Sequence, residues 1–153
     1  MEAAVEGLRD GYRHIAVGYA DCGSYGALDE VCARLGVARL AGSHCYDVFA
    51  GADTVSTITT DEPGSYFLTD YLVLSFHRSV IRELGLDRYP ELRDDYFGNY
   101  RRVVWLAQRP TPELRAAAQD AATVMGLPLE ISVVGDTGLE HQLRALLAAP
   151  RTD

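Results

Sequence analysis

Five short apolar runs punctuate the chain, at residues 14–20, 37–41, 65–69, 102–107 and 129–134, and each is followed by polar residues and then by a helical pattern. Runs of this length between Gly, Pro, Asp and Ser breaks suit buried strands. Between them lie amphipathic segments. Leu28, Val31, Cys32 and Leu35 fall at i, i+3, i+4, i+7 and are closed by Gly36, as expected beyond a helix C-terminus. Leu72, Val73, Phe76, Val80, Ile81 and Leu84 form a second such face, ended by Gly85. Thr111 and Pro112 supply an N-cap and an N1 proline for a third helix, whose face is Leu114, Ala117, Ala118, Ala121, Ala122 and Met125. A helix through Val48 and Phe49, a short helix within residues 89–100 and a last helix marked by Leu139, Leu143, Leu146 and Leu147 complete the pattern. Alternation of this kind predicts a single α/β domain over residues 1–153, doubly wound in the Rossmann or flavodoxin-like manner, with a mostly parallel sheet of about five strands.

In such a sheet, ligands bind beyond the carboxyl ends of the strands. Chemistry-bearing residues collect there. Cys22 ends the first strand ahead of Gly23, Ser24 and Gly26, and His44 and Cys45 follow the second. Thiolate and imidazole are zinc ligands, and iron is the less favoured ion for the set. Cys22, His44 and Cys45 are therefore the expected metal ligands, with Asp21, Asp47 or Asp70 nearby. His44 and Cys45 are adjacent at a turn and point in different directions, so one of the two is expected to reach Cys22. Gly23, Ser24, Asp70 and Asp136, all at strand ends, are the expected cofactor-binding residues. The same positions also suit helix caps, which explains much of this polarity without any ligand. Cys32 lies on an apolar helical stripe and is assigned to the core.

Composition narrows the chemistry. The chain carries fourteen basic residues against twenty-two acidic ones, a formal net charge of −8, and all the basic residues are arginine. Without lysine there is no Schiff-base nucleophile and no P-loop lysine. The acidic balance argues against nucleic acid. The glycine order G-x4-G-x2-G around Cys22 is neither a dinucleotide fingerprint nor a P-loop. No apolar run reaches the length of a membrane span, the first residues lack a signal-peptide pattern, and three cysteines in such a chain read as reduced thiols, so a cytoplasmic protein is expected. The expected partner is a small molecule or a metal, and a homo-oligomer is left open. The segment Arg93-Asp94-Asp95-Tyr96-Phe97-Gly98-Asn99-Tyr100-Arg101-Arg102 is read as packing its aromatics and pairing its charges locally, with a pocket lid as the alternative.

Gly18-Tyr19-Ala20-Asp21-Cys22-Gly23, the His44-Cys45 turn with Gly51 after it, and Pro63-Gly64-Ser65-Tyr66-Phe67-Leu68-Thr69 together resemble the DUF1638 family. Tyr96-Phe97-Gly98-Asn99-Tyr100 is similar to a subgroup of it. Family members show a Gly-Tyr-x-x-Cys-Gly turn and a His-Asp-Cys turn, which implies a shared cysteine and histidine site. Here the second turn reads His-Cys-Tyr-Asp. The family also begins with a further cysteine-bearing strand, and the expectation is that this chain starts at the helix after it. The resemblance implies a link to methyl or corrinoid metabolism, which suits a thiolate-bound zinc. Three functions follow as expectations: a metal-binding protein with enzymatic activity left open, a non-catalytic accessory protein that binds a small molecule or cofactor, and a thiol enzyme using Cys22 as nucleophile and His44 as base.

Overall fold

The computed structural model describes residues 1–148; the last five residues of the expected domain lie outside the described residues. In chain order the elements are α1 (Glu2–Leu8), β1 (Ala16–Val17), α2 (Ala27–Leu35), β2 (Ala38–Arg39), α3 (Cys45–Ala50), α4 (Ala52–Asp61), β3 (Ser65–Thr69), α5 (Asp70–Phe76), α6 (Arg93–Phe97), β4 (Arg102–Ala107), α7 (Pro112–Met125), β5 (Leu129–Val133) and α8 (Thr137–Ala148). A π-helical stretch, His77–Arg82, extends α5, and a 3₁₀ turn, Pro90–Leu92, precedes α6.

The five expected strands form, but in two parallel sheets. β3, β4 and β5 pair in that order, with Leu68 opposite Trp105 and Trp105 opposite Ile131. β1 pairs only with β2, Ala16 opposite Ala38 and Val17 opposite Arg39. This corrects the expectation of a single doubly wound sheet. Helices tie the halves together: Tyr46 of α3 packs on Phe67 of β3 at 5.3 Å between ring centroids, and Gln142 of α8 accepts a hydrogen bond from the Ala41 N–H at 2.7 Å.

Burial explains why the three-stranded half is the more regular. Val103, Val104, Trp105, Leu106 and Ala107 of β4 are wholly buried, as a central parallel strand covered on both faces should be. Val73, Phe76, Val80 and Ile81 cover one region of this core and Ala118, Ala121, Ala122 and Met125 another. Around β1 and β2 the buried cluster is small, Ala20, Leu40 and Val48 with Leu139 and Leu146 of α8 against it, and Val5 of α1 and Cys32 of α2 are buried outside it. Ala16 and Ala38 are exposed. Strands so poorly covered gain little from apolar burial, and regular pairing shrinks to two residues.

The ends of the elements follow their residues. Thr111 Oγ1 accepts from the Leu114 N–H at 3.2 Å with Pro112 at N1, and Gly36 and Gly126 close α2 and α7 in the left-handed conformation. Gly51, at φ 81°, divides the helix expected through Val48 and Phe49 into α3 and α4. Gly138 is where α8 meets α3. A Cβ there would lie 2.3 Å from the Phe49 carbonyl oxygen and 2.8 Å from that of Val48, so only glycine permits the approach.

Candidate functional site

The two cysteine-bearing turns meet at the carboxyl edge of the β1/β2 sheet. Pairing resumes beyond the regular strands: the Asp21 N–H donates to the Gly42 oxygen at 3.4 Å and the Cys22 N–H to the Ser43 oxygen at 2.8 Å. This sets Cys22 beside the turn that enters α3. Cys45, the first residue of α3, follows Ser43 by two residues and has Cys22 as a neighbouring group. Burial first, and the neighbouring Cys22 second, push the Cys45 thiol up to about 11, against an ordinary 9.0. Of the adjacent pair at the second turn, Cys45 is therefore the residue that reaches Cys22.

Cys22 is exposed and Cys45 half-buried. Cys22 also has φ 39°, in the left-handed region that a residue with a Cβ enters at a cost of roughly 1–2 kcal/mol. Tyr25, at φ 52°, shares this conformation, and Gly23 and Gly26 adopt it without a Cβ penalty. The loop thus concentrates unfavourable backbone at an exposed thiol, a pattern associated with functional positions.

His44 is held by an aromatic neighbour. Its ring stacks on Tyr46 at 5.6 Å between centroids with an interplanar angle of 10°. Among the described residues no three His, Cys, Asp or Glu side chains come together to hold a metal ion. The three carboxylates expected nearby are each engaged by local donors. Asp21 Oδ1 accepts from Ser24 Oγ and from the Gly26 N–H, holding the loop that starts α2. Asp47 Oδ2 accepts from the Ser43 and His44 N–H groups at 2.9 and 3.1 Å, turning the chain into α3. Asp70 accepts from Trp105 Nε1 at 2.9 Å and from the Gln108 and Arg109 N–H groups at 3.1 and 2.9 Å, latching β3 to the end of β4. The described residues bring no third His, Cys, Asp or Glu side chain to Cys22 and Cys45.

The expected cofactor residues fall into two groups, Gly23 with Ser24 in the Cys22 loop and Asp70 with Asp136 on either side of Arg109. Ser24 Oγ receives the Leu28 N–H at 3.2 Å as part of the α2 entry, Gly23 sits in the same loop, and Asp136 pairs with Arg109 at 3.0 Å at the end of β5. An open cleft of about 560 Å³ lies instead between α3, the end of β5 and α8, lined by Asp47, Phe49, Thr54, Thr137, His141 and Gln142 among others. Asp47 links it to the thiol turn. Nothing in the spacing of His141, on one turn of a helix, distinguishes it from a surface residue.

Sequence reasoning also missed a group of phenols on the inner side of the thiols. Burial, then the nearby Cys45, Tyr66, Cys22 and Tyr100 groups, push the Tyr46 hydroxyl up to about 12. Burial and Tyr100 raise Tyr66 as well. Tyr66 meets Phe97 and Tyr100 edge-on at 5.7 and 5.1 Å. In the segment 93–102, Phe97 and Tyr100 pack and Arg93 pairs locally with Asp94 at 2.6 Å, whereas Tyr96 is exposed and Arg102 pairs with Glu130 of β5 at 2.6 Å. These phenols come from α3, β3 and the turn before β4, so no spacing in the sequence announces them.

No helix among the described residues is long and apolar enough to cross a membrane. No curated protein and no solved structure matches the chain. The family model described as protein of unknown function (DUF1638) matches residues 1–143, nearly the whole length. With the two cysteine turns brought together at one sheet edge, the chain belongs to the DUF1638 family.

Proposed function

We propose that this protein binds a thiophilic metal ion, or the metal centre of a small cofactor, through the paired thiols of Cys22 and Cys45. The observation that carries the reading is the side-by-side placement of two thiols from separate turns at the carboxyl edge of a parallel sheet. Burial first, and the neighbouring Cys22 second, hold Cys45 in the protonated form. A bound cation stabilises the buried thiolate and displaces the proton, so binding strengthens as pH rises. With two protein ligands, the remaining positions belong to water, substrate or a partner, and zinc is the ion the donor chemistry favours over iron. The link to methyl or corrinoid metabolism is a proposal of the family resemblance, and the thiol pair is the group that would serve it.

Cadmium, a spectroscopically visible substitute for zinc, tests the reading. Titrated into the fully reduced chain, it should saturate at one ion with thiolate-to-metal absorption. Cys22→Ala and Cys45→Ala should lose that binding and Cys32→Ala should keep it. Retention by both of the first two variants rules the reading out. A second reading, a small-molecule binding protein without metal, is favoured by the 560 Å³ cleft. It predicts ligand-induced stabilisation that survives loss of both thiols and fails in a cleft variant such as Thr54→Phe.

A further inference from the structure

We infer that Cys22 and Cys45 form a thiol–disulfide exchange centre, Cys22 being the attacking thiol and Cys45 the resolving one, with a small dialkyl disulfide such as oxidised glutathione as co-reactant. Three observations support it. The first is juxtaposition. Neighbouring strands run about 4.8 Å apart, within the Cα separation that a disulfide needs. The Cys22 N–H···O Ser43 bond of 2.8 Å brings the first turn against the second two residues ahead of Cys45, whose thiol has Cys22 as a neighbouring group.

The second observation is asymmetry of access. Cys22 is exposed in its loop, whereas Cys45 is half-buried at the start of α3. A bulky disulfide from solvent reaches Cys22 first. Cys32 does not compete, because it is only 5% exposed within the face of α2. The third is backbone latitude. Gly23, at φ 87°, follows Cys22 in the first turn, and Gly42, at φ 105°, precedes Cys45 by three residues in the second, so each turn carries a glycine joint.

The chemistry balances as two exchanges. The Cys22 thiolate attacks one sulfur of the co-reactant, forming a protein–glutathione mixed disulfide and releasing one glutathione thiolate, which takes up a proton. The Cys45 thiol gives its proton to solvent, and its sulfur attacks the Cys22 sulfur and expels the second glutathione thiolate. The two cysteines are oxidised together by two electrons, one glutathione disulfide is reduced to two thiols, and no other reactant enters. In reverse, reduced glutathione reopens the pair. The regulatory consequence rests on the proposed function above: the disulfide occupies both metal-binding sulfurs, so oxidation abolishes cation binding and reduction restores it.

The test uses the full chain, reduced and then exposed to oxidised glutathione without metal, with intact mass and peptide mapping as readouts. Wild type should lose two hydrogens and retain no glutathione, with the bridge mapped to Cys22 and Cys45. Cys45→Ser should trap one glutathione on Cys22. Cys22→Ser should react at least about tenfold more slowly, since the half-buried thiol is left to attack alone. Cys32→Ser should behave as wild type. The inference is overturned if wild type accumulates the mixed disulfide as Cys45→Ser does, or if Cys22→Ser reacts at the wild-type rate. Cadmium titration of the reduced chain separates the two proposals. A bridge without cadmium binding refutes the metal reading alone, and cadmium binding without a bridge refutes this one alone.

Discussion

Removing the Asp70 carboxylate should destabilise the fold and leave the thiol site intact. Asp70 lies at the start of α5, where its two oxygens accept from Trp105 Nε1 and from the backbone N–H groups of Gln108 and Arg109. Trp105 is completely buried, so in Asp70→Ala its indole N–H has neither a protein acceptor nor water, a penalty of about 1–3 kcal/mol. Each backbone donor loses a net contribution of about 1 kcal/mol, and the exposed Arg109 regains part of that from water. The expected total is about 3 kcal/mol. Asp70→Asn keeps one acceptor oxygen and should lose roughly half as much. For a chain of this length, 3 kcal/mol corresponds to roughly 6–12 °C in Tm. Trp105 is the only tryptophan in the sequence, so urea unfolding followed by its emission reports on this contact directly. Cadmium binding at low temperature should match wild type. A loss below about 1 kcal/mol with unchanged emission would refute the latch and free Asp70 for a ligand role.

Stability should also fall in alkali. Cys45, with its folded value raised to about 11 from 9.0, and Tyr46, raised to about 12 from 10.0, keep their protons in the fold after the unfolded chain has released them. Their contribution is full below about pH 9 and is lost as pH climbs through about 11 and 12; urea midpoints measured from pH 8 to 11 should decline, and less steeply in Cys45→Ser. Gly138→Ala should push α8 off α3, because the added methyl meets the Phe49 and Val48 carbonyls. Overpacking of about 1–3 kcal/mol outweighs the helical gain of about 1 kcal/mol, and a net stabilisation in denaturant melts would contradict that contact. Cys22→Gly should be neutral or stabilising by about 0.5 kcal/mol, since relief at φ 39° exceeds the entropic cost of glycine. A loss above about 1 kcal/mol would show that the thiol is part of the packing.

The parts of the fold that could be read in the sequence are those where burial follows local pattern. β3 and β4 form over the residues their apolar runs mark, and α7 begins and ends at Thr111, Pro112 and Gly126, because each signal acts within a few residues. The division into two sheets was not legible. It depends on which strands hydrogen-bond across large separations, and the run at residues 14–20 looks as apolar as a central strand although Ala16 ends exposed. At the site, the meeting of the two cysteine-bearing turns followed from the parallel β–turn–α arrangement, whereas the choice of Cys45 over His44 as the neighbour of Cys22 did not. The direction of His44 did not either, since it depends on the Tyr46 ring beside it. Nor did the use of Asp21, Asp47 and Asp70 by backbone donors, because a carboxylate at a strand end looks the same whether it caps a turn or awaits a ligand.

The most direct test of the thiol pair is reaction of the reduced chain with a trivalent arsenical such as phenylarsine oxide, which forms a stable ring only with two thiols held close together. One arsenic should bind per chain, resist displacement by a monothiol, and map by peptide mass to a bridge between Cys22 and Cys45. Adducts confined to single thiols, or a bridge that persists in Cys45→Ser, would show that the two turns do not form one site.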